Sequence, residues 1–203
     1  MASADGKYFL TLGSDNLIKF WNEEGKEIRT IHTPDLKYQN LELSPDNSRI
    51  LARGNYLENK IWILDAETGK EIATLEGHTQ GVQHACWSPD GRMILTTSLD
   101  STALVWDAVK GSILQRFTGH TGAVVSARFS HDSKQIATIS QDQPAVIWDI
   151  KSGKLVRLFE ASGKIPSDLE FSADGKMLAT VTDWGDNGIT LWSVKDAIPI
   201  KKL

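Results

Sequence analysis

Tryptophan recurs in this chain with a period in the low forties. Five tryptophans, each at the end of a short apolar run, are separated by 41, 44, 42 and 44 residues: Trp21, Trp62, Trp106, Trp148 and Trp192. Two of them are followed directly by aspartate, at Asp107 and Asp149. A fixed period of this length is typical of repeat architectures, in which each repeat is one supersecondary unit.

Turn-forming dipeptides keep almost the same period. They are spaced by 41, 44, 42 and 42 residues: Asp5-Gly6, Asp46-Asn47, Asp90-Gly91, Asp132-Ser133 and Asp174-Gly175. Asp, Asn and Gly tolerate the positive φ that tight hairpin turns need. Runs of four to six β-branched and apolar residues lie between the turns and predict short strands. Because these runs are nearly continuous rather than alternating, we expect small sheets that are covered on both faces.

The composition is that of an ordinary globular protein. The chain has 203 residues, 40% of them hydrophobic and 24% charged, which is enough for one sizeable core. Its net charge of −4 argues against a nucleic-acid partner, since such partners require a basic surface. The single cysteine, Cys86, excludes an internal disulfide framework and fits a reducing compartment. Without a signal-like start or an apolar run of ~20 residues, the sequence predicts a soluble, cytoplasmic protein with no membrane partner.

Residues 77–107 and 119–149 share further features. Each stretch begins with Gly-His and ends with Trp-Asp, and the turn at residues 87–91, Trp-Ser-Pro-Asp-Gly, has a counterpart at residues 171–175. On these residues the chain closely resembles the WD-repeat β-propellers, over essentially its whole length. The resemblance implies an all-β propeller of four-stranded antiparallel blades around a central channel. It implies one continuous region with blades at about residues 1–33, 34–76, 77–118, 119–160 and 161–203.

The first blade is predicted to be incomplete. The sequence starts at the turn that should follow the innermost strand of that blade, at residues 3–6. We therefore expect nineteen strands, four full blades and one of three strands. Three arrangements remain open: a fragment of a larger propeller, an open arc that self-associates through its blade edges, or a strained ring of about five blades.

Four polar and aromatic residues recur at identical spacing in two repeats. They are His78, Ser98, Asp100 and Trp106, followed by His120, Ser140, Asp142 and Trp148. The set contains the side chains of a Ser-His-Asp triad, but an active site is rarely copied into adjacent repeats. The resemblance implies a structural hydrogen-bond chain inside each blade, and a buried aspartate does need such donors. We therefore predict no catalytic residue and no enzyme activity.

The resemblance also implies that one face of the disc, formed by the loops with Gly-His and Asp, binds partners. The candidate partner-binding residues on this face are Lys37, Gln39, Asn55, Tyr56, Gln83, Leu99, Val125, Gln141, Ile165, Ser167 and Trp184. Tyr56, Leu99, Val125 and Trp184 would form an apolar and aromatic patch that suits a protein or peptide partner. The alternative for Tyr56 and Trp184 is local packing under their own loops.

These features predict a non-catalytic scaffold or adaptor that binds proteins through WD repeats. One alternative is the sensor or regulatory arm of a larger signalling protein. Another is an enzyme or ligand-binding propeller with a site at the channel mouth, which would require acidic or histidine residues to converge from several blades.

No cofactor or metal site is predicted. The sequence has no Cys pair, no His-Glu-x-x-His and no phosphate-binding Gly-rich loop. Asp183, Asp186 and Asn187 do not have the spacing of a calcium loop. His84 and Cys86 share one strand and are interpreted as a packed pair.

Overall fold

The computed structural model describes residues 3, 6–15, 17–33, 38–141, 143–159, 166–182 and 188–203. Within these residues the chain forms nineteen strands and no helix, which confirms the predicted all-β fold with an incomplete first blade. The strands are β1 (Tyr8–Leu12), β2 (Leu17–Asn22), β3 (Glu27–His32), β4 (Asn40–Leu43), β5 (Arg49–Arg53), β6 (Lys60–Asp65), β7 (Glu71–Glu76), β8 (Val82–Trp87), β9 (Met93–Ser98), β10 (Ala103–Asp107), β11 (Ile113–Phe117), β12 (Val124–Phe129), β13 (Gln135–Ser140), β14 (Val146–Asp149), β15 (Leu155–Leu158), β16 (Asp168–Phe171), β17 (Met177–Thr182), β18 (Gly188–Ser193) and β19 (Pro199–Lys202).

Consecutive strands pair antiparallel into five sheets. Sheet 1 contains β1 to β3, and sheets 2 to 5 each contain the next four strands in chain order. The chain groups into two compact units, Met1–Val82 with sheets 1 and 2, and Gln83–Leu203 with sheets 3 to 5. The prediction of one continuous region stays a prediction.

A serine and an aspartate build the turn between the first two strands of sheets 2 to 5. In sheet 4 the Ser130 hydroxyl donates to Asp132 Oδ1 at 2.7 Å and accepts from the N–H of Gln135 at 3.0 Å. The next residue, Ser133, has a φ of 56°, and sheets 3 and 5 have glycine at this position. The same bonds recur at Ser44, Ser88 and Ser172. This turn sets the register of the two strands it joins, because the side-chain bonds fix the number of residues in the loop.

A β-bulge interrupts the pairing of the last two strands in every sheet. The residue that follows the shift is Trp21, Trp106, Trp148 or Trp192 in four sheets and Leu64 in sheet 2. The prediction of Trp62 as the repeat tryptophan of the second repeat is therefore wrong by two residues. Trp62 is on the same face of its strand, since side chains alternate, and it packs against Tyr38 with ring centroids 5.4 Å apart.

The core lies between successive sheets within each unit. We call the face of a sheet that looks toward the next sheet its leading face, and the opposite one its trailing face. The leading face of sheet 4 includes Ile139 and Ile147, which are fully buried beneath Leu169 and Trp192 of sheet 5. The trailing face of sheet 4, which includes Trp148, is buried in the same way against sheet 3. The expected coverage of both sheet faces is thus confirmed for sheet 4.

Candidate functional site

A charged cluster joins the first strands of sheets 3, 4 and 5. At its centre Arg128 of β12 donates through Nη1 to Nε2 of His84 at 2.7 Å and through Nε to Oε2 of Glu170 at 3.0 Å. Its Nη2 lies 3.3 Å from Oδ1 of Asp168, and the Ser126 hydroxyl donates to the same oxygen at 2.8 Å. The guanidinium thus links side chains from β8, β12 and β16. We call these five residues the Arg128 cluster.

The electrostatics of the cluster keep Arg128 charged. Burial alone would lower the pKa of Arg128, but the charge of Asp168, with contributions from Cys86 and Glu170, outweighs burial and raises that pKa. Because the guanidinium can only donate, Nε2 of His84 must be the acceptor and carries no proton. The Asp168 and Glu170 side chains are 54% and 67% exposed, so both carboxylates also reach solvent. The cluster therefore holds one cation between two carboxylates and fixes three strands.

Sequence reasoning missed this cluster, although the repeat period contains it. His84, Ser126 and Asp168 are spaced by 42 residues, and Arg128 and Glu170 keep the same spacing. Side chains alternate along a strand, so residues at one repeat register lie on one face of successive first strands. Applying the period to these strands would have identified the cluster, whereas we named His84 only as a packed neighbour of Cys86.

A buried hydrogen-bond chain runs through sheet 4. The Trp148 indole Nε1 donates to Oγ1 of Thr138 at 2.8 Å, and Nε2 of His120 lies 2.8 Å from the same oxygen. Nδ1 of His120 lies 3.1 Å from Oε1 of Gln143. With its proton on Nδ1, His120 accepts a hydrogen bond from the Thr138 hydroxyl and donates one to Gln143. The Trp148 N–H, the Thr138 hydroxyl and both ring nitrogens of His120 then all have a hydrogen-bond partner. The connecting hydroxyl is thus Thr138, which the sequence prediction did not include.

The same tryptophan–threonine bond occurs in sheets 1, 3 and 5. Trp21 donates to Thr11, Trp106 to Thr96 and Trp192 to Thr180, at 2.8 to 2.9 Å. In sheet 2, Leu64 and Ala52 occupy the two corresponding positions. Both polar partners are replaced together there, which avoids a buried group without a hydrogen bond.

The structure describes only some of the other residues in the two predicted His-Ser-Asp-Trp sets. Ser98 and Ser140 are fully buried in their strands, and His78 is buried in the first unit. Asp100 accepts from the N–H and hydroxyl of Thr102 at 3.0 and 2.7 Å, so it fixes the loop that follows β9. Asp142 lies outside the described residues. The complete four-residue chains stay predictions.

In the first unit, the loop between β5 and β6 presents an exposed candidate partner-binding residue, Tyr56. Tyr56 is 60% exposed and its neighbour Leu57 is 67% exposed. Of the other candidates in this unit, Gln39 is exposed and Asn55 is half-buried. The exposure of Tyr56 favours a partner-facing role over local packing.

Short contacts hold the backbone of this loop. The carbonyl of Glu58 accepts from the N–H of Val82 at 2.7 Å, and Oδ1 of Asn55 accepts from the N–H of Leu57 at 2.8 Å. A Cβ added at Gly81 would overlap the carbonyl oxygen of Tyr56. The loop is therefore a fixed support for two exposed apolar side chains.

In the second unit, five candidates are described. Gln141 is exposed, whereas Gln83, Leu99, Val125 and Ser167 are half-buried. Val125 packs against the core between sheets 4 and 5, so it contributes to folding as well as to the surface. Lys37, Ile165 and Trp184 lie outside the described residues, as do Asp183, Asp186 and Asn187.

Metal-binding groups and membrane-spanning helices are both absent from the part of the chain that the structure describes. Among the described residues, no group of three or more His, Cys, Asp or Glu side chains is arranged to hold a metal ion. No helical segment in the described ranges has the length and hydropathy needed to span a bilayer.

Comparisons with known proteins find the repeats directly. The family model described as "WD domain, G-beta repeat" matches residues 69–107 and 111–149. The chain is 32% identical over 108 residues to the ribosome biogenesis protein WDR12 homolog of Drosophila persimilis, which covers 51% of this chain and 26% of that protein. It is 36% identical over 111 residues to the nuclear distribution protein PAC1 of Arthroderma benhamiae, covering 50% of this chain and 24% of that protein.

A third relative is the target of rapamycin complex subunit wat1 of Schizosaccharomyces pombe. The identity is 33% over 95 residues, covering 46% of this chain and 30% of that protein. The chain thus spans less than a third of the length of these relatives. Residues 69–107 and 111–149 are therefore WD40 repeats, and the five antiparallel sheets are consistent with a partial WD-repeat propeller.

Proposed function

We propose that this chain is a non-catalytic interaction scaffold that binds protein or peptide partners on its loop face. The observation that carries the proposal is the exposed pair Tyr56 and Leu57 on a loop whose backbone is fixed. Tyrosine supplies a large contact area at a low cost in conformational entropy, and a fixed loop loses little further freedom on binding. The relative named as a subunit of the target of rapamycin complex supports a role in an assembly. A cytoplasmic location remains part of the proposal.

A displayed library of random peptides tests this function, because it presents many candidate partner sequences at once. We expect peptides selected on the 203-residue chain to lose about tenfold or more in affinity for Tyr56→Ala and for Leu57→Ala, since truncating a central interface residue costs about 1–2 kcal/mol or more. The matched control is Ile72→Ala, which removes a side chain that is 54% exposed on the outer strand β7. Thermal melts must show that all three variants fold.

A backbone variant separates the loop's position from its side chains. Gly81→Ala forces the Tyr56 carbonyl to move, because the added methyl group meets backbone atoms on the loop. In the control Gly13→Ala, only the flexible side chain of Asp15 has to move. Binding that is unaffected by Gly81→Ala and Tyr56→Ala would place the partner on another surface, and the absence of any specific peptide would contradict the scaffold proposal.

The Arg128 cluster is the observation that favours a second candidate, a ligand site on the innermost strands. It brings His84, Asp168 and Glu170 together from corresponding positions, as a channel-mouth site requires. The donors of Arg128 are directed at these same groups, however, so we interpret the cluster as structural. A positive hydrolase screen or metal analysis of the purified chain, abolished by Asp168→Asn, would reverse this interpretation.

A further inference from the structure

A cleft in the first unit lies between sheet 1 and two turns of sheet 2. It has a volume of about 500 Å³, and its lining includes Tyr8, Ile28 and Arg29 of sheet 1 and Ser48, Asp65 and Glu67 of sheet 2. These turns follow β4 and β6, whereas the loop with Tyr56 follows β5. Because antiparallel strands place successive connections at opposite ends of the sheet, the cleft is separate from the Tyr56 loop.

Arg29, which lines this cleft, has a donor without a partner. The side chain is half-buried, and its buried Nε has no hydrogen-bond acceptor in the part of the chain that the structure describes. The guanidinium lies over Phe20, with Cζ 3.9 Å from the ring centroid. This stacking holds the planar donor fork in one orientation. A buried donor without an acceptor is unfavourable, so a ligand that supplies the acceptor gains from it.

Side chains at the register of Arg29 in sheets 3 and 4 do have acceptors. Gln115 and Arg157 occupy this register, which is the last pair before the bulge. Arg157 donates through Nε to the carbonyl of Lys195 at 3.0 Å, in the turn after the third strand of the next sheet. Gln115 donates to the corresponding turn of sheet 4 at 3.4 Å. In sheet 2 that turn lines the cleft and accepts no hydrogen bond from Nε of Arg29.

The carboxylates of the cleft do not take the place of this acceptor. Oδ1 of Asp65 already accepts from the Thr68 hydroxyl and from the N–H groups of Thr68 and Glu67. The Thr68 hydroxyl is the main cause of the lowered pKa of Asp65, and the charge of Arg29 adds to it. With Glu67, the cleft contains one cation and two anions. It therefore repels a phosphate dianion and is complementary to a ligand with charges of both signs.

We propose that this cleft binds a protein segment in which an acidic side chain lies beside a basic one. The carboxylate of the segment accepts from the Arg29 guanidinium, whose planar fork it matches, and the cationic group lies near Asp65 and Glu67. Ile28 is 55% exposed and, with the Tyr8 ring, covers the aliphatic stems of such long side chains. The site is independent of the loop-face site, so the chain has two separate binding surfaces.

Side-chain NMR spectra of the 203-residue chain test the proposal, because the Nε–H group of a buried arginine gives its own signal. The probe is the pentapeptide Gly-Glu-Gly-Lys-Gly with blocked ends, whose two charged side chains share one side of an extended backbone. We expect the Arg29 signal to shift and saturate at peptide concentrations on the order of 1 mM. A peptide with Gln in place of Glu should bind about tenfold more weakly. Inorganic phosphate, the second probe, should bind more weakly than the first peptide.

Variants identify the residues that bind the peptide. Arg29→Gln should weaken binding about tenfold, measured on the backbone amide of Ala66. The matched control is Arg157→Gln, since that arginine already has an acceptor, and Tyr56→Ala changes the opposite end of sheet 2. Both controls should keep the wild-type affinity. Glu67→Gln changes an exposed side chain and should weaken peptide binding about threefold.

Four outcomes overturn the proposal. The first is that neither the Arg29 signal nor the Ala66 amide moves when peptide is added to the wild type. The second is equal affinity for the Glu and Gln peptides, and the third is tighter binding of phosphate than of the first peptide. The fourth is a loss in either control variant as large as that in Arg29→Gln. The dispersion of the backbone signals shows, in the same samples, that each variant is folded.

Discussion

Nη1 of Arg128 lies 2.7 Å from Nε2 of His84, so a half-buried arginine on the first strand of sheet 4 donates to a neutral histidine on the first strand of sheet 3. The same guanidinium reaches two carboxylates on the next strand. Surface ion pairs contribute little on their own. The larger contribution comes from the half-buried histidine and the buried Ser126 hydroxyl, which lies 3.2 Å from the same Nη1.

Replacing the arginine at the centre of this cluster is expected to destabilise the second unit. Arg128→Ala removes the donor to His84 and should cost about 1–3 kcal/mol in the free energy of unfolding, measured with denaturant. Arg128→Lys keeps the charge but not the planar fork, so it should recover only part of the loss. Arg92→Ala removes an exposed arginine and should change stability by no more than about 0.5 kcal/mol. Equal losses for Arg128→Ala and Arg92→Ala would show that the cluster does not stabilise the unit.

The hydroxyl of Thr138 is expected to matter more than its counterpart in sheet 1. Thr138→Val keeps the shape of the side chain but leaves the Trp148 N–H and His120 without their shared partner, at a cost of about 1–3 kcal/mol. Thr11→Val breaks the corresponding bond to Trp21 where water can replace it, so its loss should be smaller. A chemical denaturation curve for each variant gives the comparison. If Thr11→Val and Thr138→Val lowered the free energy of unfolding equally, burial of the threonine would not determine how much this hydrogen bond contributes.

Ala197 is an alanine at a glycine position. Its φ is 55°, and the corresponding turn residues in the other four sheets are Gly25, Gly69, Gly111 and Gly153, with φ between 67° and 75°. A left-handed conformation costs a residue with a Cβ about 1–2 kcal/mol, which exceeds the entropy that glycine loses on folding. Ala197→Gly should therefore raise the melting temperature, whereas Ala173→Gly, at a turn position of the same sheet without positive φ, should lower it. A fall for Ala197→Gly would mean that its methyl contact with the core outweighs the strain.

Acid should remove the contribution of Asp46 to the stability of the folded state. The Ser44 hydroxyl, with further donors on Ser48, lowers the pKa of Asp46 to about 2, although burial opposes this. A carboxyl group whose pKa is lower in the folded state stabilises the fold at pH values above its unfolded pKa of about 3.9. This stabilisation is lost as the pH falls toward 2. The melting temperature of Asp46→Asn should thus lie below that of the wild type near neutral pH, and the gap should close between about pH 4 and pH 2. Glu67→Gln controls for the loss of one charge, and a gap that persists at the acid end would contradict the assignment.

Asp100 is expected to stabilise the loop after β9, whether or not it also belongs to a longer chain. Asp100→Ala removes the acceptor for the Thr102 N–H and hydroxyl, and a loss of about 1 kcal/mol corresponds to a fall of about 2–4 °C in melting temperature for a chain of this size. Thr102→Val tests the hydroxyl bond separately and should cost less, because the backbone bond remains. Scanning calorimetry of both variants measures these changes in melting temperature. An Asp100→Ala variant with the wild-type melting temperature would show that Asp100 does not stabilise the fold.

The architecture could be predicted because it depends on local signals that repeat. Each Ser-x-Asp turn determines its own geometry through bonds within six residues, so counting the turns gave the five sheets, including the three-stranded first one. Trp62 misled the prediction because it lies on the same face of β6 as Leu64, and a tryptophan two positions early is therefore buried as well. Only the bulge, which is a property of strand pairing, shows that Leu64 is the equivalent residue.

The site was harder to predict because it depends on residues from different repeats. Arg128 meets His84 and Glu170 only when three first strands lie side by side, and no single repeat contains that information. Similarly, the sequence marks a hydroxyl near Trp148 but not which one, since Thr138 and Ser140 lie on the same side of one strand. Pair geometry, rather than residue type, selects Thr138.

The register of the Arg128 cluster also limits how this chain can change. Sheets 3, 4 and 5 have the same strand order. Duplication or exchange of whole four-stranded sheets would therefore leave every strand pairing intact. However, His84, Arg128 and Glu170 belong to three different repeats. The Arg128 guanidinium contacts His84 of the preceding repeat and Glu170 of the following one. Inserting a repeat between sheets 3 and 4 would separate His84 from Arg128 by one blade. The order of these three repeats is therefore fixed by their side chains, even though their folds are interchangeable.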